Sequence, residues 1–237
     1  MYKLENFYYI FKGLYLTIFI TIISLIIGVI LGFIIASIIF FKIKFFNLFL
    51  KNSEVINKVN NNRVFKYIPS FYQIINLYKK FTINTPILTQ LILFLYVIPL
   101  NLEVVTLGLI VLGLNSAAHI STIILDTLNN IPENYWYTSI SLGLSSYESM
   151  KRIYFKYLFI HNKKALFNEF ITLLKESSIL SLFGVKDIIF RSKEISTATY
   201  KFLPYMLFVS FLYFIIITIN EYIYDKFFTS NNKKILN

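Results

Sequence analysis

The residues best able to do chemistry in this chain lie where the sequence is least hospitable to charge. Glu169, Lys175 and Glu176 interrupt the apolar stretch Ala165 to Val185, and His119 lies inside an uncharged run from Val104 to Leu125. An ionised group is costly against lipid, so such residues face a protein interior or a water-filled path, or snorkel to headgroups near the end of a span. Glu169 and Glu176 are seven apart and share a helical face, whereas Lys175 points elsewhere. A solitary histidine suits hydrogen-bonded packing better than metal ligation, because no second His or Cys is near it. The absence of cysteine removes disulfides, thiolate metal sites and cysteine nucleophiles. With His119 and His161 isolated and no paired aspartates inside the apolar runs, an intramembrane enzyme lacks its constellation. No Gly-x-x-x-x-Gly-Lys phosphate loop occurs, so ATP hydrolysis by this chain is not expected, and neither is a cofactor or a metal.

The elements around these residues are those of an integral membrane protein. Hydrophobic residues make up 57% of the 237 positions and aromatic ones 19%, with a mean hydropathy of +0.64. The net charge of +11 does not mark a nucleic-acid binder, because the Lys and Arg residues are spread over the links between apolar runs. The first charge-free run, 13–41, exceeds the roughly 20 residues that cross the hydrocarbon core and has no small-residue cleavage site after it, so an uncleaved anchor is expected. Along it Thr17, Thr21, Ser24, Gly28 and Gly32 form one narrow helical face suited to close helix packing. Further spans are expected over about 81–102, 104–125, 165–185 and 202–224, the one over 165–185 broken or short because of its charges. Pro99 and Asn101 suit a tight turn between the second and third. An insertion at about 48–68, rich in Asn and Lys, reads as a solvated loop.

The links carry the charge bias. Sixteen of the 23 Lys and Arg residues fall in 42–80, in 129–164 and after the last span, which puts these segments inside, the N-terminus outside and the C-terminus in the cytoplasm. The 129–164 link has a helical grammar of its own. Pro132 fits a first helical turn with Glu133 at the positive end of the dipole, and Gly143 closes that helix. Ser145 and Glu148 have capping-box spacing and predict a second helix with Met150, Ile153, Tyr154 and Tyr157 along one face.

Three stretches in register then carry a resemblance. They are Asn84-Thr85-Pro86-Ile87-Leu88-Thr89-Gln90; Leu112 to Ala118 running through Ile131-Pro132 and Trp136 to Ser141-Leu142-Gly143-Leu144-Ser145; and Asn168 to Ser178 ending in Gly184-Val185. Together they resemble the membrane permease subunits of ATP-binding-cassette importers, specifically the polar amino-acid uptake family of histidine, glutamine and arginine permeases. The resemblance covers nearly the whole chain apart from the insertion. It implies an all-α fold of five transmembrane helices in a single permease domain, 1–237, with a cytoplasmic two-helix coupling loop. It implies a bacterial cell membrane, ATPase subunits beneath, a second permease subunit (the same chain or a relative) beside it, and an extracytoplasmic substrate-binding protein.

Residue by residue, the resemblance assigns ATPase coupling to Pro132, Trp136, Gly143, Leu144 and Ser145. Thr85, Asn115, His119, Thr122 and Glu169 are the candidates for lining the substrate path. The chain departs from the family at two places. Tyr137-Thr138-Ser139 stand where the coupling loop usually reads Glu-Ala-Ala, with Lys156 where Pro is usual. In the third span Thr122 and Leu125 replace a Glu and an Arg suited to a zwitterion. A different small solute, ligand contacts from a paired subunit, or recognition by the binding protein would each account for the second departure. A degenerate scaffold that assembles without transporting, and a passive channel, remain the rival readings.

Overall fold

The structure, a computed structural model, describes residues 4–50, 63–97 and 102–226. Among these residues every regular element is helical, as an apolar environment demands when backbone N–H and C=O groups can be satisfied only from within the segment. In chain order they are α1 (Leu4–Leu50), α2 (Arg63–Asn84), α3 (Ile87–Ile92) continuing into a π turn (Leu93–Val97), and α4 (Val104–Asn129). Then come α5 (Glu133–Ser141), α6 (Ser146–Ser149) with a π turn (Met150–Tyr154), α7 (Phe155–Ser177) with a 3-10 turn (Ser178–Phe183), α8 (Ile188–Thr199) and α9 (Phe202–Tyr224). Pro99, Asn101, the insertion residues 51–62, Lys233 and Lys234 lie outside the described residues.

Three described helices are long and apolar enough to cross a bilayer: the Leu4–Phe40 part of α1, then α4 and α9. The charge-free run 81–102 is not one helix. Pro86 has no N–H to donate and disfavours an αR conformation at Thr85, so α2 stops at Asn84 and α3 starts afresh at Ile87. The stretch 165–185 is likewise divided between the end of α7 and the 3-10 turn. Glu169, Lys175 and Glu176 keep α7 below the hydropathy of a lipid-facing span.

The chain forms two compact units: Met1–Ile27, Ile87–Ser116 and Lys163–Asn237 make the first, and Gly28–Pro86 and Ala117–Asn162 the second. In the first, one apolar cluster gathers Ile20, Leu91, Val111, Leu112, Leu173, Leu180 and Val185, and another gathers Ile10, Ile188, Tyr205 and Val209. The small-residue face of α1 is buried, with Thr17, Thr21 and Ser24 almost fully covered, while Phe19, Ile22 and Ile26 on its other side are exposed. Thr21 Oγ1 donates to the Thr17 carbonyl at 2.8 Å and Thr17 Oγ1 to the Gly13 carbonyl at 3.2 Å, so these hydroxyls need no outside partner. In the second unit, Gly32 brings α1 against the Ala117 carbonyl and Ile120, and Phe33 stacks on Phe155 at 5.2 Å.

The tightest approach in the first unit is backbone on backbone. A Cβ at Gly13 would lie 2.7 Å from the Asp187 carbonyl carbon and oxygen and from the Ile188 Cα. There the Ile188 N–H donates to Thr17 Oγ1 at 3.4 Å, and Asp187 caps α8 by accepting from the Phe190 N–H at 2.7 Å through Oδ1. Asp187 Oδ2 and the Tyr213 hydroxyl are buried without a hydrogen-bond partner. Burial pushes the Asp187 carboxyl up to about 6, against the pull of the Phe190 and Ile189 N–H groups and of Lys193.

Two outcomes follow from this contact. Gly13→Ala must displace backbone and is expected to destabilise the chain by about 1–3 kcal/mol. Gly108→Ala meets only the side chain of Leu180 and no backbone, and should cost less, so thermal unfolding in detergent should rank the two in that order. For Asp187 the folded carboxyl holds its proton more tightly than the unfolded one at 3.8. Stability should therefore be greatest at the acid end and fall as pH rises through about 6, by roughly 3 kcal/mol in all. Asp187→Asn keeps a capping side chain, removes the charge, and should flatten that pH dependence while raising the melting temperature at pH 7.

Candidate functional site

The 129–164 segment is built from end signals. The Asn130 N–H bonds back to the Asp126 carbonyl at 3.1 Å, closing α4, and the Pro132 carbonyl accepts from the Tyr135 N–H at 3.1 Å, opening α5. Pro132 directly precedes α5, where a missing N–H breaks no ladder. At the other end Gly143 takes φ +70, and the Leu144 N–H reaches back to the Ser139 carbonyl at 3.1 Å. That 6→1 bond through a left-handed residue is a Schellman closure. No heavy atom lies within 4 Å of where a Gly143 Cβ would stand, so this glycine is required by its dihedral and not by crowding.

The capping box forms at the next helix. The Ser145 N–H and Oγ donate to Glu148 Oε2 at 3.0 and 2.9 Å, and the Glu148 N–H donates to Ser145 Oγ at 3.3 Å. The Ser145 backbone and hydroxyl donors hold the Glu148 carboxyl below its usual range. Arg152 lies 3.6 Å from Glu148 Oε1 on the exposed side, a contact that adds little. The helix so capped is only Ser146–Ser149 before the π turn Met150–Tyr154, which shifts the register of everything after it. Tyr154 and Leu158 are buried while Ile153 and Tyr157 are half-buried. Tyr157 packs edge-on against Tyr135 at 5.8 Å and lies 3.9 Å from the His161 ring.

The outer surface of this module is apolar. Tyr135, Tyr137, Leu142, Phe155, Phe159 and Ile160 are all exposed, beside Lys151, Arg152 and Lys156. Pro132, Gly143 and Ser145 are exposed and Leu144 is half-buried; Trp136 lies on α5 with its side chain outside the described set. Sequence reasoning singled out the turn residues and missed this aromatic surface. The signal was present in the spacing of Tyr135, Leu142, Phe155 and Phe159, but only the packing of Ser139, Ser149 and Tyr154 inward shows which side faces out.

The candidate path residues divide between the two units. In the first, Asn115 is buried and its Nδ2 donates to Gln90 Oε1 at 3.3 Å, and Glu169 is buried on α7 with Lys175 exposed. Gln90 is a polar partner that reading the sequence did not single out as functional. In the second, Thr85 Oγ1 donates to the Phe81 carbonyl at 2.8 Å and Thr122 Oγ1 to the Ala118 carbonyl at 3.0 Å, while His119 is half-buried. Both threonine hydroxyls therefore have their protons engaged and retain only acceptor capacity. Among the described residues no three His, Cys, Asp or Glu side chains are grouped to hold a metal ion.

The profile of the family described as "Binding-protein-dependent transport system inner membrane component" matches residues 62–229. An arginine transport system permease protein of Bacillus subtilis (strain 168) is 28% identical over 170 residues, covering 70% of this chain and 75% of the relative. A putative glutamine transport system permease protein of Rickettsia typhi is 29% identical over the same shares. Among solved structures, that of an amino acid ABC transporter with histidines superposes with a TM-score of 0.75, 24% identity and 94% of each chain covered. The inward-facing methionine ABC transporter MetNI superposes with a TM-score of 0.71 at 13% identity, covering 97% of this chain and 99% of that one. At these identities the two structures show a common fold.

Ser145→Ala removes the two capping-box bonds made by the Ser145 hydroxyl and should speed amide hydrogen exchange across 146–149 without affecting α4 or α9. Lowering the pH should likewise reduce the protection of these amides in the wild-type chain, measured against the intrinsic exchange rate at each pH. The depressed Glu148 carboxyl keeps the cap formed above its ordinary range and loses it only as pH falls through the lowered value.

Proposed function

The chain belongs to the family of binding-protein-dependent transport system inner membrane components, and from that membership we propose that it is the permease subunit through which an ATP-binding-cassette importer passes an amino acid. The match over 62–229 carries the reading, because its range takes in the broken α2–α3 segment, α4, the two-helix module and α7 to α9. The amino-acid cargo is supported by relatives named for arginine and glutamine transport. A polar cargo suits Asn115, His119, Thr122, Thr85 and Glu169 as path residues. Full charges on the cargo would be met by Glu169, by a second permease subunit or by an external binding protein, since Thr122 and Leu125 are neutral.

Energy comes from separate ATPase subunits, which dock on the module around Pro132, Trp136, Gly143, Leu144 and Ser145. Its exposed aromatic and aliphatic surface is the kind that a soluble monomer does not keep. In this reading five membrane crossings, with the N-terminus outside and the C-terminus in a bacterial cytoplasm, place the module beside the ATPases. Closure of those subunits on ATP moves residues 132–156, and the helices carry the motion as a switch between inward-open and outward-open states. The small-residue faces of α1 and α4 supply the close packing on which a switch between two arrangements would turn.

The test is uptake by the reconstituted complex with ATP sealed inside or withheld, screening polar and basic amino acids first. ATP-dependent accumulation of one of them is the expected result. Accumulation of an unrelated solute alone would overturn the cargo, and ATP turnover with no accumulation of any solute would favour a non-transporting scaffold. Gly143→Leu places a side chain in a left-handed conformation at a cost of about 1–2 kcal/mol. The variant should co-purify poorly with its ATPase and transport slowly; unchanged co-purification and uptake would remove the coupling assignment.

A further inference from the structure

We propose that the corner between α8 and α9 holds the phosphate headgroup of an anionic lipid. A shallow cavity of about 440 Å³ opens there, lined by Lys193, Ser196, Thr197, Tyr200 and Phe202. The chemistry of its wall selects an anion. Ser196 Oγ donates to the Ser192 carbonyl at 2.6 Å and Thr197 Oγ1 to the Lys193 carbonyl at 2.9 Å, so neither hydroxyl has a proton to offer. The remaining side-chain donors of the lining are the Lys193 ammonium and the Tyr200 hydroxyl, and Lys201 adds positive charge at the same corner.

Neither nearby carboxylate lines the cavity, although Asp187 feels the Lys193 charge. Glu194 Oε2 accepts from the Tyr9 hydroxyl at 2.7 Å, with the Arg191 guanidinium 4.5 Å from the Tyr9 ring centre, and Asp187 is buried under the start of α8. The C-terminal end of α8 opposes an anion with about half a charge. Two of its last four carbonyls are engaged, however: the Tyr200 N–H donates to the Thr197 carbonyl and the Lys201 N–H to the Ser196 carbonyl. A full ammonium charge at Lys193 outweighs what is left.

A second observation identifies the anion as a lipid and not a free ion. Below the cavity Leu203, Leu207, Phe211 and Phe214 recur at helical spacing and are all exposed, forming an apolar stripe down α9 from its first turn. A phosphate seated at Lys193 and an acyl chain lying along that stripe fit one molecule. Tyr200 marks the level of the boundary. It is 95% exposed, adopts φ +56 and projects from the turn between a polar helix and an apolar one, where the ring can rest among headgroups. This site depends on the chain lying in a membrane and not on the cargo, so failure to transport an amino acid would leave it standing.

The full-length chain, delipidated and returned to vesicles of equal phosphatidylglycerol and phosphatidylcholine with matched acyl chains, is examined by native mass spectrometry. Retention of phosphatidylglycerol several-fold over phosphatidylcholine is expected. Lys193→Gln should lower that preference about fivefold, the effect of one cation at a membrane surface. Tyr200→Gly suits the left-handed turn, keeps the corner folded, and should also weaken retention. Equal retention of the two lipids by the wild-type chain, or an unchanged preference in Lys193→Gln, would overturn the site. Displacement of the bound lipid by millimolar inorganic phosphate would reassign it to a free anion, and resistance to phosphate supports the lipid.

Discussion

Contact between helix backbones, unmediated by side chains, is the constraint on which the first unit depends. At Gly13 the axis of α1 comes so near Asp187 and Ile188 that a methyl group would overlap three backbone atoms. One turn later Thr17 uses the same closeness to accept the Ile188 N–H. The start of α8 is therefore held from two directions, by α1 and by its own Asp187 cap. Tyr205 of α9 closes the group by accepting from Asn6 Nδ2 at 2.9 Å and packing on Phe7 at 5.5 Å. Lipid tails are as apolar as leucine, so helices in a bilayer gain little from hiding aliphatic surface and much from approaching closely enough for packing and hydrogen bonding.

The polar side chains follow the same logic. Thr17, Thr21, Thr122 and Ser196 each return their hydroxyl proton to a carbonyl one turn back, and Asn115 pairs with Gln90. Polar residues inside an apolar fold are then satisfied locally at modest cost and remain acceptors for something passing by. The exceptions are few among the described residues: Ser116 Oγ, Asp187 Oδ2 and the Tyr213 hydroxyl are buried without partners. Two of these belong to the α1, α8 and α9 group, which places stored electrostatic cost beside its closest backbone contact.

The 129–164 module works on opposite terms. Its ends are fixed by short-range devices, a Schellman closure at Gly143 and a reciprocal cap between Ser145 and Glu148, which need no distant partner. Its inner side chains, Ser139, Ser149 and Tyr154, are buried, whereas Tyr137, Leu142 and Phe159 are left in the open. A locally determined frame with an apolar exterior is suited to transmitting a push from a docked neighbour, since its shape does not wait on the neighbour for its definition.

Much of this was written in the sequence, because the bilayer imposes rules that act locally. The charge-free runs fixed the apolar helices α1 and α9 and most of α4; Thr17, Thr21 and Ser24 announced the packed face of α1; Gly143 and the Ser145–Glu148 spacing announced the module's turns. Each of these rests on neighbours within a few residues or on a periodicity. Other features were decided only when distant segments met. The break at Pro86 bent the charge-free run 81–102 between two helices, and the π turn at Met150–Tyr154 re-phased the helix that the capping box begins. Gln90 became the partner of Asn115, and Asp187, in what read as a polar outer link, became a buried cap under α1. Sequence shows which residues want company, but the identity of that company depends on which backbone can come close enough, and at Gly13 that was decided by the absence of a single carbon.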